Sequence, residues 1–173
     1  MERTLTVTAP TPVSAIGGAI HQICFVTDDL EGTQRFLRDH MGTGRFRVFE
    51  DVRFRDLTYR GQPAEFRIDL SLAYAGDTQF EVIRPLSGPS LYTEFLERRG
   101  PGMHHLGFLV DDFDGAAATY AANGYEVAQS GTFGAATRFA YYDTEASCGA
   151  IMELIECDDA VRKLFDAIKR GDF

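Results

Sequence analysis

No stretch of the chain carries the roughly 20 consecutive apolar residues that a bilayer span needs; the longest apolar runs are strand-sized. No positively charged and then apolar leader ends in a cleavage-like site, so a soluble protein is expected. Cysteine is scarce. Cys24, Cys148 and Cys157 make neither a CxxC pair nor an even set, which argues against a disulfide framework and for a reducing, cytoplasmic setting. Basic residues are outnumbered, 17 Lys and Arg against 26 Asp and Glu, for a formal charge of −9. Phosphate backbones and anionic membranes are repelled at long range, so neither nucleic acid nor a membrane is an expected partner. What is present is core material: 45% hydrophobic and 12% aromatic residues over 173 positions, enough for one domain.

The chain also contains a repeat. Residues 20–32, IHQICFVTDDLEG, align without gaps on residues 103–115, MHHLGFLVDDFDG, with five of 13 positions identical. Each copy reads as an apolar strand, an Asp-Asp pair that suits a helix N-cap, and a helix. The first helix stops at Gly42 and the second at Asn123-Gly124, where left-handed caps are expected. Three β-like stretches follow each helix: Arg45 to Phe54, Glu65 to Tyr74 and Thr78 to Ile83, then Tyr125 to Ser130, Thr137 to Tyr142 and Ile151 to Ile155. FEVIRP at 80–85 matches MELIEC at 152–157, so the second copy is 11 residues shorter in its middle loops. Residues 1–18 read as a flexible N-terminal arm and residues 158–173 as an amphipathic C-terminal helix docked on the body. Between them lies a single domain, 19–157, with modules at 19–88 and 102–157.

Alternation along the first strands separates His105, Gly107 and Leu109 from His104, Leu106, Phe108 and Val110, the second set being expected against its helix. By the repeat, Gln22 is equivalent to His105, while His21 shares the face of Ile23 and Phe25. The last strands add Glu81 and Glu153, each a carboxylate between apolar neighbours. Gln22, Glu81, His105 and Glu153 thus occupy equivalent positions, and a divalent cation would satisfy both glutamates. An N/O donor set of this kind suits Zn, Ni, Co, Mn or Fe without choosing among them. The alternative is that both glutamates sit in edge strands facing water while His105 packs in the core.

The paired βαβββ modules, the boundaries in IHQICFVTDDL and MHHLGFLVDDF, and the closing FEVIRP and MELIE resemble the vicinal oxygen chelate superfamily. That superfamily includes glyoxalase I, methylmalonyl-CoA epimerase, extradiol dioxygenases and bleomycin-resistance proteins. The resemblance implies an α+β fold in which two tandem βαβββ modules form one cupped, barrel-like mixed sheet around one divalent metal ion. Its ligands would be Gln22, Glu81, His105 and Glu153, with His21 as an alternative to Gln22 if the first strand is shifted by one residue. The donor set resembles that of animal-type glyoxalase I; FEVIRPL followed by PGMHHLGF resembles methylmalonyl-CoA epimerase.

The implied activity is that of a metal-dependent isomerase, epimerase or lyase, which removes a proton next to a carbonyl through a metal-stabilised enolate. Glu153 is the expected proton carrier by resemblance, and Glu65 a second candidate. On the strand EFRIDLSLAY, the polar face of Glu65, Arg67, Asp69 and Ser71 would line the cup and touch substrate if Phe66, Ile68, Leu70 and Leu72 pack on helices. Arg45, Arg47, Arg53 and Arg55 could hold a substrate anion or simply be solvated. Expected partners are a small-molecule carbonyl or acyl substrate and, as the superfamily often shows, a second copy in a homodimer. The rival readings are an extradiol-type dioxygenase, disfavoured by Gln22 in place of a histidine, and a metal-free, drug-sequestering binding protein.

Overall fold

The two copies of the repeat meet back to back at their first strands. In the computed structural model, which describes residues 19–173, β1 (Gln22–Val26) runs antiparallel to β7 (Gly102–Leu109) at the centre of a ten-stranded sheet. The expected arm, residues 1–18, lies outside the described residues. The first module continues through α1 (Leu30–Met41), β2 (Arg47–Val52), a β3 (Arg55–Tyr59) and β4 (Gln62–Pro63) hairpin, β5 (Arg67–Ala75) and β6 (Thr78–Ser87). A helix, α2 (Leu91–Arg99), leads to β7. The second module adds α3 (Phe113–Ala122), β8 (Val127–Phe133), β9 (Thr137–Tyr142), a short α4 (Glu145–Cys148) and β10 (Ile151–Glu156), and α5 (Asp159–Arg170) follows.

Sheet order is β2-β5-β6-β1-β7-β10-β9-β8-β3-β4. Within each half the first strand pairs in parallel with the last, β1 with β6 and β7 with β10. The hairpin explains the length difference between the modules. It belongs to the first module in sequence but pairs with β8 at the far edge of the second. Only Arg53 and Phe54 separate β2 from β3, so the chain crosses from one edge of the sheet to the other in two residues. Asp51 and Asp56 take positive φ on either side, and both neighbouring ladders carry register shifts. The sheet must therefore curl until its edges nearly meet, which turns one face into the inside of a cup.

The Asp-Asp boundaries behave as their chemistry requires. Asp29 accepts from the Gly32 amide and Asp112 from the Gly115 amide, each capping its helix. A Cβ on Gly32 would lie 2.0 Å from Asp29 Oδ2, and one on Gly115 2.2 Å from Asp112 Oδ2. The repeated glycine thus leaves room for the capping carboxylate. On the convex side, Leu30 and Leu37 of α1 pack with Phe46, Ala73, Phe80 and Val82, while Ala116 and Tyr120 of α3 pack with Val110, Ala140, Tyr142 and Leu154. Among the described residues no helix is long and apolar enough to cross a membrane.

Candidate metal centre

Strand register decides what faces into the cup. In the parallel pair of β1 and β6, Cys24 lies beside Glu81; in that of β7 and β10, Gly107 lies beside Glu153. Across the centre, Gln22 is opposite Gly107 and Cys24 opposite His105. Gln22, Glu81, His105 and Glu153 are brought together, all at most 8% exposed. His105 Nε2 lies 3.2 Å from Gln22 Oε1, 3.3 Å from Glu81 Oε2 and 3.1 Å from Glu153 Oε2.

One ring nitrogen carries at most one proton, so it cannot serve three oxygens. Glu81 Oε2 and Glu153 Oε2 are buried and make no well-directed hydrogen bond despite their short distances to the ring. Burial opposes the charged form of His105, but the Glu153 and Glu81 carboxylates outweigh it and hold the pKa up at about 9. Burial likewise pushes the Glu153 carboxyl above its usual range, against the pull of His105. Even a protonated His105 offers one positive charge against two negative ones. A buried charge left unpaired costs roughly 3–5 kcal/mol. A divalent cation with a neutral His105 balances both carboxylates, so the residues present fit a bound metal ion.

The surrounding groups aim these donors. Gln22 Nε2 donates to Gln79 Oε1 at 2.7 Å, and Gln79 Nε2 donates to the Tyr74 hydroxyl at 2.9 Å, which leaves Gln22 Oε1 turned toward the site. On the other side, His104 Nδ1 and His105 Nδ1 are 2.9 Å apart. One must donate and the other accept; donation by His105 leaves its Nε2 lone pair free for a metal. Gly107 clears the floor, since a Cβ there would sit 2.9 Å from Gln22 Oε1 and 3.2 Å from Glu153 Oε2.

Three residues of this surround were not singled out from sequence. Cys24, read as a small buried hydrophobe, presents its sulfur near the Glu81 and His105 ligand atoms, all within 4.8 Å of one another. Burial and then Glu81 push its thiol well above the usual range. The repeat could have flagged it, because Cys24 aligns with Gly107. Gln79 carries no such signal, since its role follows from the register of β1 on β6. His104 was expected against α3; instead the β1–β7 ladder shifts register between Cys24 and Phe25, and His104 packs against Tyr92 and Phe95, with ring centroids 5.4 and 5.1 Å away. A bulge of this kind re-aims one side chain and is invisible to simple alternation.

The other sequence candidates lie elsewhere. His21 is not in the cluster: it stacks on Phe165 of α5 at 5.6 Å, and burial lowers its pKa to about 4, helped by Lys169 and Arg162. On β5 the expected facing is reversed. Leu72 is opposite Glu81 and Leu70 opposite Ile83, so the apolar residues line the cup. Ser71 accepts from Gln34 of α1, Asp69 pairs with Arg84 and takes the Asp51 amide, and Arg67 pairs with Asp51, all on the outer side. Glu65 is exposed and precedes the strand. The physical reason is that antiparallel partners share a face, so the position of Glu81 fixes that of its neighbours on β5. Arg45 and Arg47 lie near the Phe173 ring, Arg53 pairs with Asp51, and Arg55 donates to the Gly134 and Ala135 carbonyls.

Above the donors is a cavity of about 80 Å³. Gln22, Glu81 and Glu153 form its polar end; the walls are mainly aromatic and aliphatic. Val161, Leu164 and Phe165 of α5 belong to the wall, so the C-terminal helix docks over the cup. The hydroxyls of Tyr92 and Tyr141 bond each other at 2.7 Å, and the Tyr141 ring lies 5.0 Å from that of His105.

A family model described as the glyoxalase/bleomycin resistance protein/dioxygenase superfamily matches residues 21–142. The chain belongs to this superfamily. Among solved structures, the methylmalonyl-CoA epimerase of Mycobacterium tuberculosis is similar with a TM-score of 0.57 and 19% identity, over 83% of this chain and 91% of that one. A Streptomyces coelicolor methylmalonyl-CoA epimerase variant in complex with 2-nitronate-propionyl-CoA gives 0.57 and 21%, over 81% and 94%. A hypothetical protein from Bacillus halodurans gives 0.59 and 17%, over 82% and 95%. At these identities the likeness shows the fold, the curled mixed sheet with its helices. The uncharacterized protein YqjC of Bacillus subtilis is 30% identical over 77 residues, 41% of this chain and 55% of that protein. The chain thus spans only about half the length of that curated relative. Superfamily membership and the buried Cys24, Glu81 and His105 group agree with a divalent metal site.

Proposed function

We propose that this superfamily member is a metal-dependent isomerase, epimerase or lyase that moves a proton on a carbon next to a carbonyl. The observation that carries this reading is the convergence of two buried carboxylates, each with an oxygen lacking a hydrogen bond, on an imidazole and an amide at the closed end of an apolar cavity. Gln22, Glu81, His105 and Glu153 would hold the ion. When bound, a divalent metal supplies a Lewis acid that lowers the energy of negative charge on a substrate oxygen.

The chain's own residues do the rest. Glu153 stands at the cavity wall with its carboxyl range pushed up by burial, which suits a group that takes a proton and returns it. Gln79 and His104 hold Gln22 and His105 in the orientations described above. The aromatic walls and α5 exclude water, which strengthens every charge interaction at the donor end. The epimerases among the structural neighbours support this class of reaction.

The experiment is deuterium uptake from D2O next to the carbonyl, followed by proton NMR with metal-loaded protein over a panel of acyl thioesters, carbonyl acids and hydroxyketones. Exchange that stops with chelator and returns with a divalent metal is the expected result. Exchange indifferent to chelator, or absent from the whole panel, contradicts the proposal.

A further inference from the structure

The cavity also restricts what can enter it. Among the described residues no Lys or Arg lines its wall: Arg67 pairs with Asp51, Arg84 with Asp69, and Arg138 with Glu156 and Asp114 on the outside, while Arg47, opposite Leu72 on β2, is exposed beside the Phe49 and Phe173 rings. Polar groups in the wall away from the donors are also engaged. The Tyr92 and Tyr141 hydroxyls bond each other, and Thr137 Oγ1 accepts from the Asp158 amide. What remains to meet a ligand is carbon, much of it aromatic. Phe54 reaches in from the crossing between the sheet edges, with its ring centroid 5.2 Å from that of Phe139 and 6.1 Å from that of Phe133.

We infer that the part of the substrate entering the cup is neutral and apolar, with an aromatic ring or similar bulk attached to the reacting carbonyl. An acid of the malonyl kind would bring a free carboxylate into a space already holding Glu81 and Glu153, with no side-chain cation among the described residues of the wall to receive it. Even with a divalent ion balancing the two glutamates, a second anionic group on the substrate stays uncompensated. Aromatic walls contact a flat neutral ring through edge and face packing at no such cost. This inference rests on the proposed enolising site for where the carbonyl sits, whereas the polarity of the wall stands independently of it.

The test uses the full chain and two sets of probes, with affinities read by calorimetry. For metal-loaded protein they are 2-hydroxyacetophenone, its para-carboxylate derivative and hydroxyacetone. For protein kept in chelator they are acetophenone and 4-acetylbenzoate. The neutral aromatic probe should bind on the order of 100-fold tighter than its carboxylate in both states, and at least about tenfold tighter than hydroxyacetone. Leu70→Arg, at a half-buried wall position, should narrow or reverse the preference for the neutral probe while thermal melting stays cooperative. A carboxylate probe binding as tightly as its neutral partner, or hydroxyacetone binding as tightly as 2-hydroxyacetophenone, overturns the inference. If no metal binds, the enolising reading fails while the order in chelator still decides the polarity of the cup.

Discussion

The two modules present the same backbone to the cup but fill it differently. At equivalent positions the first strand of one carries Gln22 and Cys24, that of the other His105 and Gly107, while both last strands carry a glutamate. On the convex side the two helices pack on their strands in much the same way. The repeat preserves architecture on its outer face and differs in chemistry on its inner one. The second module supplies the imidazole, the empty floor and the proposed proton carrier. The first supplies an amide, a carboxylate, a thiol and the hairpin that crosses to the far sheet edge.

The largest test of this division is to break one glutamate at a time. Glu153→Gln should slow deuterium exchange by about 10²–10⁴-fold while the protein still folds, because it removes the group assigned to the proton. Glu81→Gln should act mainly on metal affinity, measured by competition with a colorimetric chelator. Equal effects of both changes on exchange at saturating metal would mean that the modules do not divide the work as described.

The small residues beside the glutamates, Gly107 and Cys24, differ in the same way. Gly107→Ala forces a methyl against Gln22 and Glu153, and should destabilise the protein by roughly 1–3 kcal/mol in urea denaturation and weaken metal binding. Cys24→Ala, at the equivalent position, should leave metal binding within a few-fold. The opposite order would make the sulfur a principal ligand. His104→Phe should weaken metal binding by about 10–100-fold, as loss of an orienting partner typically does. Among these tests the smallest effect belongs to His21→Ala, which should cost less metal affinity than Gln22→Ala because His21 packs on Phe165 outside the cluster.

Most of the architecture was legible because it rests on local signals repeated twice: alternation, Asp caps and glycine stops. The convergence of four polar side chains was legible for the same reason, since the repeat aligns Gln22 with His105 and Glu81 with Glu153. Features that depend on which strand pairs with which were not. Polarity suggested that Arg67, Asp69 and Ser71 face the cup, but the outer side of β5 is only partly covered by α1 and satisfies them with Asp51, Arg84 and Gln34. The bulge that turns His104 beside His105 exists only in the ladder between β1 and β7. The β3–β4 hairpin pairs with a strand far along the chain, so nothing local announces its place. Helix α2 did leave a signal, Ser90 as its cap and Gly100 at its end, and through Tyr92 it contributes to the cavity wall.

The four-donor centre is tested by the metal content per chain of protein purified without chelator or metal-affinity resin, by elemental mass spectrometry. About one equivalent of a divalent transition metal is expected, lost in the His105→Ala variant. No metal as purified and none taken up on titration would contradict the four-donor centre and leave an apolar cup that binds small molecules without one.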